Sequence, residues 1–158
     1  MADKQDAIAL LKADHRAVEE LFEKFEGAKG DGAKQRIALE ICLQLTVHAQ
    51  IEEEIFYPAF KAKGDQSDDA KMYFEALEEH RAAGDLVLPD LLGTAVDSEK
   101  FSGRAKVLKE LVTHHAGEEE KKMFPRAKKL LSKEELVTLG EHMATRKAEL
   151  VKQLKSSR

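Results

Sequence analysis

Apolar residues along the chain recur at three- and four-residue spacing in five successive stretches, the period of helices that bury one face. The first, from about Asp3 to Glu26, aligns Ile8, Leu11, His15, Val18 and Phe22, and ends at Gly27 and Gly30-Asp31-Gly32. The second, from about Ala33 to Lys61, carries Ile41, Leu45, His48, Glu52, Ile55 and Ala59 in one stripe and ends at Gly64 and the polar run Asp65-Gln66-Ser67-Asp68. The third, from about Asp69 to Leu92, turns Tyr73, Leu77, His80, Val87 and Leu91 inward. The fourth opens near Ser102, after Asp97-Ser98, and runs to Leu131 through Leu108, Leu111, His115 and Glu119. The fifth opens with Ser132-Lys133-Glu134-Glu135, where Ser132 and Glu135 can satisfy each other's backbone donors, and continues to about Leu154. Short polar connections favour antiparallel neighbours. The pattern therefore predicts an all-α fold: an up-down four-helix bundle over about 3–131 with an extra helix over about 133–155, in one domain spanning 1–158.

Four of these stripes contain histidine, and the chain repeats itself around them. The stretch from Leu45 to Pro58 aligns without a gap on the stretch from Val112 to Pro125. Thr46, His48, Ala49, Glu52, Glu53 and Pro58 meet Thr113, His115, Ala116, Glu119, Glu120 and Pro125, all identical. Asp14-His15-Arg16-Ala17 is echoed by Glu79-His80-Arg81-Ala82. The chain thus reads as two related helix pairs, each supplying a lone His and then a His-x-x-x-Glu.

Residues four apart share a helix face, so His48 points with Glu52 and His115 with Glu119. Imidazoles and carboxylates buried together are costly unless something satisfies them, and a metal ion does so. Four His and two Glu suffice for two ions, with carboxylates able to bridge and positions left open for a small ligand. A single His-x-x-x-Glu carries little weight. His15/Glu19 and His114/Glu118 show the same spacing, and such a pair is commonly just a solvated helix contact. The argument rests on all six residues lying in apolar stripes, in register in both halves.

These residues resemble the hemerythrin-like family, also described as HHE cation-binding domains, over roughly residues 5–130. The resemblance implies a four-helix bundle around a non-haem di-iron centre that binds dioxygen or a related small molecule. It places His15, His48, Glu52, His80, His115 and Glu119 at the ligand positions, with Glu52 and Glu119 as bridging carboxylates. The oxygen-carrying hemerythrins put two His four apart on the third helix, whereas Ala76 and Gly84 stand four residues either side of His80. They also use His-x-x-x-x-Asp on the fourth helix, where this chain has Glu119 at that distance from His114. A fifth nitrogen ligand is therefore unassigned. Its candidates are His114, about 100° off the stripe, and His142 on the fifth helix. Without the third-helix pair, two irons in similar coordination are expected.

Pro58 and Pro125 fall inside apparent helices, and both helices are expected to bend there. Past that point Lys122 and Arg126 replace Ile55 and Ala59, which predicts a fourth helix emerging into solvent. Phe22, Leu45 and Val112 flank the histidine layer and are candidates to wall an apolar ligand pocket, or else ordinary core.

Composition narrows the function classes. The 158 residues are 35% charged and 6% aromatic, with a formal net charge of −4. That balance argues against nucleic acid or an anionic membrane as the main partner, since both reward a basic face. The polar start of the chain, the lack of a membrane-length apolar run and the lone Cys42 lead to the expectation of a cytoplasmic protein. The leading function is a protein holding two iron ions that binds dioxygen for sensing, delivery or storage. The alternatives are a catalase-like enzyme consuming hydrogen peroxide, an iron store, and a metal-free helical interaction module. No protein partner is indicated.

Overall fold

In the computed structural model, which describes residues 5–157, the chain forms five helices, and no strand occurs among the described residues. Helix α1 is Ala7–Gly27, capped by Asp6, whose side chain accepts from the Ala9 N–H at 2.8 Å. The predicted start near residue 3 falls partly outside the described residues, and Gln5 and Asp6 precede the helix. Helix α2 spans 31–63 and opens at Gly30, whose φ of 90° is the left-handed geometry that glycine adopts without strain. Helix α3 spans 67–92, and α4 spans 99–130 from a Ser98 cap, three residues earlier than its sequence suggests. Helix α5, Lys133–Ser156, opens with the expected reciprocal box: Ser132 and Glu135 bond each other's backbone N–H at 3.0 Å.

Each of α2, α3 and α4 changes winding part-way. Glu52–Phe56, Arg81–Val87 and Glu119–Met123 are π-helical, with Tyr57, Leu88 and Phe124 donating to carbonyls five residues back. The next residue in each case is proline: Pro58, Pro89 and Pro125. A proline ring collides with the carbonyl four residues before it and offers no donor. Widening the preceding turn relieves that clash, so the helices run on through their prolines. Pro89 gives the third helix the same device, which the two-copy alignment does not reveal.

The core is two apolar clusters with a polar layer between them. One gathers Leu11, Val47, Ile51, Phe56, Phe60, Phe124, Met143 and their neighbours, and includes α5. The other gathers Val18, Phe22, Ile41, Leu88, Phe101 and Leu108. Along α1, His15 lies between Leu11 and Val18; along α4, His115 lies between Leu108 and Met123. Full burial of each large side chain contributes about 1.5–3 kcal/mol, which offsets the cost of the charged layer. Helix α4 does not emerge into solvent past that layer. Lys122 is exposed, but Phe124 and Ala127 are buried, and Arg126 turns to Asp69 at the start of α3.

Candidate metal centre

All six residues of the repeat arrive in the polar layer. His15, His48, Glu52 and Glu119 are buried, and the side chains of His80 and His115 are only 9% and 12% exposed. Their Nε2 atoms converge. His15 Nε2 lies 3.1 Å from Glu119 Oε1, His80 Nε2 lies 3.1 Å from Glu52 Oε1, and the Nε2 atoms of His80 and His115 are 3.0 Å apart. Donor atoms of His15, His48, Glu52 and Glu119 form one group within 4.8 Å, and those of Glu52, His80 and His115 form a second. Glu52 belongs to both.

The outward face of each imidazole is also engaged. His48 Nδ1 donates to Asp14 at 2.9 Å, His115 Nδ1 to Glu79 at 2.9 Å and His15 Nδ1 to Glu120 at 3.0 Å. His80 Nδ1 lies 3.3 Å from Glu53, without hydrogen-bond alignment. These four acids obey the repeat. Asp14 and Glu79 each precede the lone His of their helix and serve the His of the next. Glu53 and Glu120 each follow the Glu of the layer and serve a lone His across the bundle. A carboxylate on Nδ1 fixes the ring and directs Nε2 inward, as ligating histidines require. Asp14 is held in turn by Lys147 of α5 at 2.5 Å, and Glu120 by Arg16.

One residue at the centre was not among the sequence candidates. Tyr57 is fully buried, and its hydroxyl donates to Glu119 Oε2 at 2.8 Å. The same oxygen lies 3.2 Å from Glu52 Oε1 and 3.1 Å from Nε2 of both His80 and His115. Its counterpart in the repeat is Phe124, which stacks on His15 with centroids 5.9 Å apart. The two halves are therefore unequal where it matters. At this one position the repeat is unequal: one copy presents a hydroxyl to the layer and the other an apolar ring.

The family description "Hemerythrin HHE cation binding domain" matches residues 6–127, the span that contains the six layer residues, the four acids behind the histidines and Tyr57. The chain belongs to that family. This HHE domain is similar to a solved structure, the crystal structure of a hemerythrin HHE cation binding domain-containing protein from Mycobacterium kansasii described as an Rv2633c homolog. The TM-score is 0.82 and the identity 28%, over 94% of this chain and 88% of that one. The uncharacterized protein Rv2633c of Mycobacterium tuberculosis is 28% identical over 154 residues, 96% of this chain and 89% of its own. A DNA nickase of Nostoc sp. is 27% identical over 136 residues; the match covers 85% of this chain but only 37% of the nickase.

The HHE domain's donors fit a cation. His48 Nε2 and Glu52 Oε2 are buried without a hydrogen-bond partner among the described residues. Donor separations of 3.0–3.1 Å match the edge of an octahedron whose bonds are about 2.1 Å. Without a cation the layer balances itself with protons. Burial opposes charge on His48, but the Glu52 carboxylate and the Asp14 bond outweigh it and raise the pKa to about 10. Burial likewise opposes charge on His80 and His115, and neighbouring carboxylates raise both. Burial and the charge of Glu52 raise Glu119, and burial with both carboxylates raises Tyr57 well above its ordinary range. A cation bound here displaces these protons, so its affinity falls as pH falls.

A cavity of about 800 Å³ opens beside the layer, and Phe22, Leu45 and Val112 all line it along with the four histidines. The two remaining candidates stay outside. His114 is 62% exposed and faces Glu79 at 3.3 Å, and His142 is exposed on α5. One residue of rotation on α4 separates His114 from the stripe, and α5 presents Met143 rather than His142 to the core.

Proposed function

We propose that the chain holds a pair of iron ions and uses them on dioxygen or hydrogen peroxide. The observation that carries the reading is the doubled donor group sharing Glu52, with a carboxylate behind each imidazole. His15, His48 and Glu119 would hold one ion, His80, His115 and Tyr57 the other, with Glu52 and Glu119 shared. Tyr57 takes the place of the missing fifth nitrogen. Imidazole with oxygen donors suits iron among other first-row metals, and bundle-core sites of this build serve as di-iron centres. Such a pair supplies electrons to, or withdraws them from, a small oxygen species at its open positions.

The protein's own groups favour consumption of peroxide over reversible oxygen carriage. Peroxide decomposition requires protons to pass between the two oxygens of the substrate. Glu53 and Glu79, which line the cavity behind His80 and His115, are placed to give and receive one. The apolar wall of Val18, Phe22 and Val112 limits water near the layer. A cytoplasmic setting accords with the single Cys42. Nicking of DNA is not carried over from the Nostoc relative, because a net charge of −4 gives this chain no basic excess for phosphates.

Anaerobic loading with ferrous iron, followed by elemental analysis, should find two irons per chain, and the oxidised protein should evolve oxygen from hydrogen peroxide. One iron or none overturns the paired site. Two irons with a stable, reversible oxygen spectrum and no peroxide turnover would retain the pair and reject the peroxide reading.

A further inference from the structure

The cavity is far larger than the chemistry proposed for the layer requires. Dioxygen or hydrogen peroxide needs little more than the roughly 30 Å³ share of a water molecule. The space is about 800 Å³, within the usual range of about 300–1,000 Å³ for sites that enclose small organic ligands. Val18 and Phe22 of α1, Leu45 of α2, Leu88 of α3 and Val112 of α4 supply its walls. Most of the lining surface is apolar, although charged side chains also border it, and apolar surface of this kind favours apolar guests.

Two features of α3 border this space. Its π-helical segment, Arg81–Val87, begins immediately after His80, and such segments recur at functional sites. Within it, Gly84 lines the cavity, and a side chain added there would meet nothing within 4 Å. The oxygen-carrying pattern has a second histidine at four residues from the first; here glycine leaves that volume free.

Charge narrows the occupant. Seven acids, Asp14, Glu19, Glu23, Glu53, Glu78, Glu79 and Asp85, line the cavity and outnumber its basic groups, Arg81, Lys109 and the four histidines. Arg81 is paired to Glu78 and Lys109 to Glu26. Anionic ligands, fatty acids among them, meet net repulsion here. We infer that the cavity is a binding site for an uncharged, largely apolar organic molecule, one end of which abuts the four histidines. The inference stands beside the iron reading and does not require it.

The test titrates the full chain, as purified and after iron loading, with Nile red, an uncharged apolar dye, and with the anionic dye anilinonaphthalene sulfonate. Nile red should bind saturably, one per chain, with blue-shifted emission, and the anionic dye at least tenfold more weakly. Val112→Phe, which fills the wall, and Gly84→Leu, which fills the open position, should each weaken Nile red at least tenfold while circular dichroism and iron content stay unchanged. Leu92→Ser, at an exposed apolar residue outside the cavity, should leave binding intact. Non-saturable binding, preference for the anionic dye, or loss on Leu92→Ser without loss on Val112→Phe and Gly84→Leu would overturn the site. Elemental analysis of the same samples separates the readings: a chain that binds Nile red but no iron keeps this inference and loses the di-iron centre.

Discussion

Asp14→Asn tests whether the acids behind the histidines build the centre. Asp14 is 5% exposed and bridges His48 Nδ1 at 2.9 Å to Lys147 at 2.5 Å. Burial opposes its charge, but His48 and Lys147 outweigh burial and lower its pKa, so it is a carboxylate at neutral pH. Asparagine keeps the shape and removes the charge. The bond to His48 then falls from the charge-assisted class, about 1.5–3 kcal/mol, to the neutral class, about 0.5–1.5 kcal/mol. The abandoned Lys147 is one-third exposed and can rehydrate, so little penalty arises on that side. A loss of about 1–2 kcal/mol in orienting and polarising His48 corresponds to cation affinity weakened roughly five- to thirtyfold, which overlaps the lower part of the ten- to hundredfold range usual for removing such a partner. Competition against a chromophoric chelator at fixed pH measures it, with His48→Gln as the full-loss reference. Lys147→Met should have a smaller effect, because Asp14 keeps its bond to His48. Affinity of Asp14→Asn within threefold of the parent, while His48→Gln loses the ion, would refute the claim that these acids tune the ligands.

Gly140→Ala should destabilise by about 1–3 kcal/mol despite its better helix propensity, since the added carbon would stand 2.5 Å from the Gln5 carbonyl and 2.8 Å from the Ala7 nitrogen. Gly103→Ala, with open space around it, should stabilise by about 0.5–1 kcal/mol, and urea unfolding of both gives the two signs. The Arg126 bonds lead in holding Asp69 at about 2, with backbone N–H groups of Gln66 and Asp65 assisting; Asp69 is covered by these neighbours yet lies near the molecular surface. Its native pKa is depressed, so its stabilisation is complete above about 4 and is lost as pH falls toward 2. Screening leaves roughly 1 kcal/mol, and Arg126→Met should remove that part of the acid-unfolding curve. Tyr57→Phe should lower the iron content toward one per chain and abolish any phenolate-to-iron absorption of the oxidised protein. Unchanged stoichiometry and spectrum would remove Tyr57 from the ligand set.

Helical period and punctuation expose most of the fold, because each helix must bury one stripe and stop at a cap or glycine. The polar layer is legible for the same reason: six residues of the wrong polarity lie in those stripes. The acids behind the histidines were on view in the repeat, as Asp14 matched to Glu79 and Glu53 matched to Glu120. Their role was not, because each serves a histidine on another helix, and pairing across helices depends on packing. The π turns were hidden differently. Proline predicts trouble in a helix, but sequence alone does not choose between a bend and a widened turn, and the absence of a sharp stop at Pro58 and Pro125 is decided by the turn before each. Tyr57 was masked by its neighbours. In a stripe count it is one more core aromatic, and only its substitution by Phe124 in the other copy marks the hydroxyl as unusual.

That substitution gives the proposed centre a direction. The His and Glu donors contributed by the two halves are nearly interchangeable, so those six residues alone do not distinguish the two proposed positions. Their surroundings can. The half with His15 and His48 is backed by the Phe124 ring and by α5, which reaches Asp14 through Lys147. The half with His80 and His115 has Tyr57 instead of that ring. A second cavity of about 310 Å³, between α3 and α4, reaches His115 and Glu119. His115 thus borders both cavities, whereas the buried Tyr57 lines neither. If the proposed pair is bound, the position between His15 and His48 would be tied to α5 through Asp14 and Lys147, and the position at His80 and His115 would be the one bordered by both cavities. Loss of α5 contacts should therefore loosen the first ion, and loss of the Tyr57 hydroxyl should alter reactivity at the second.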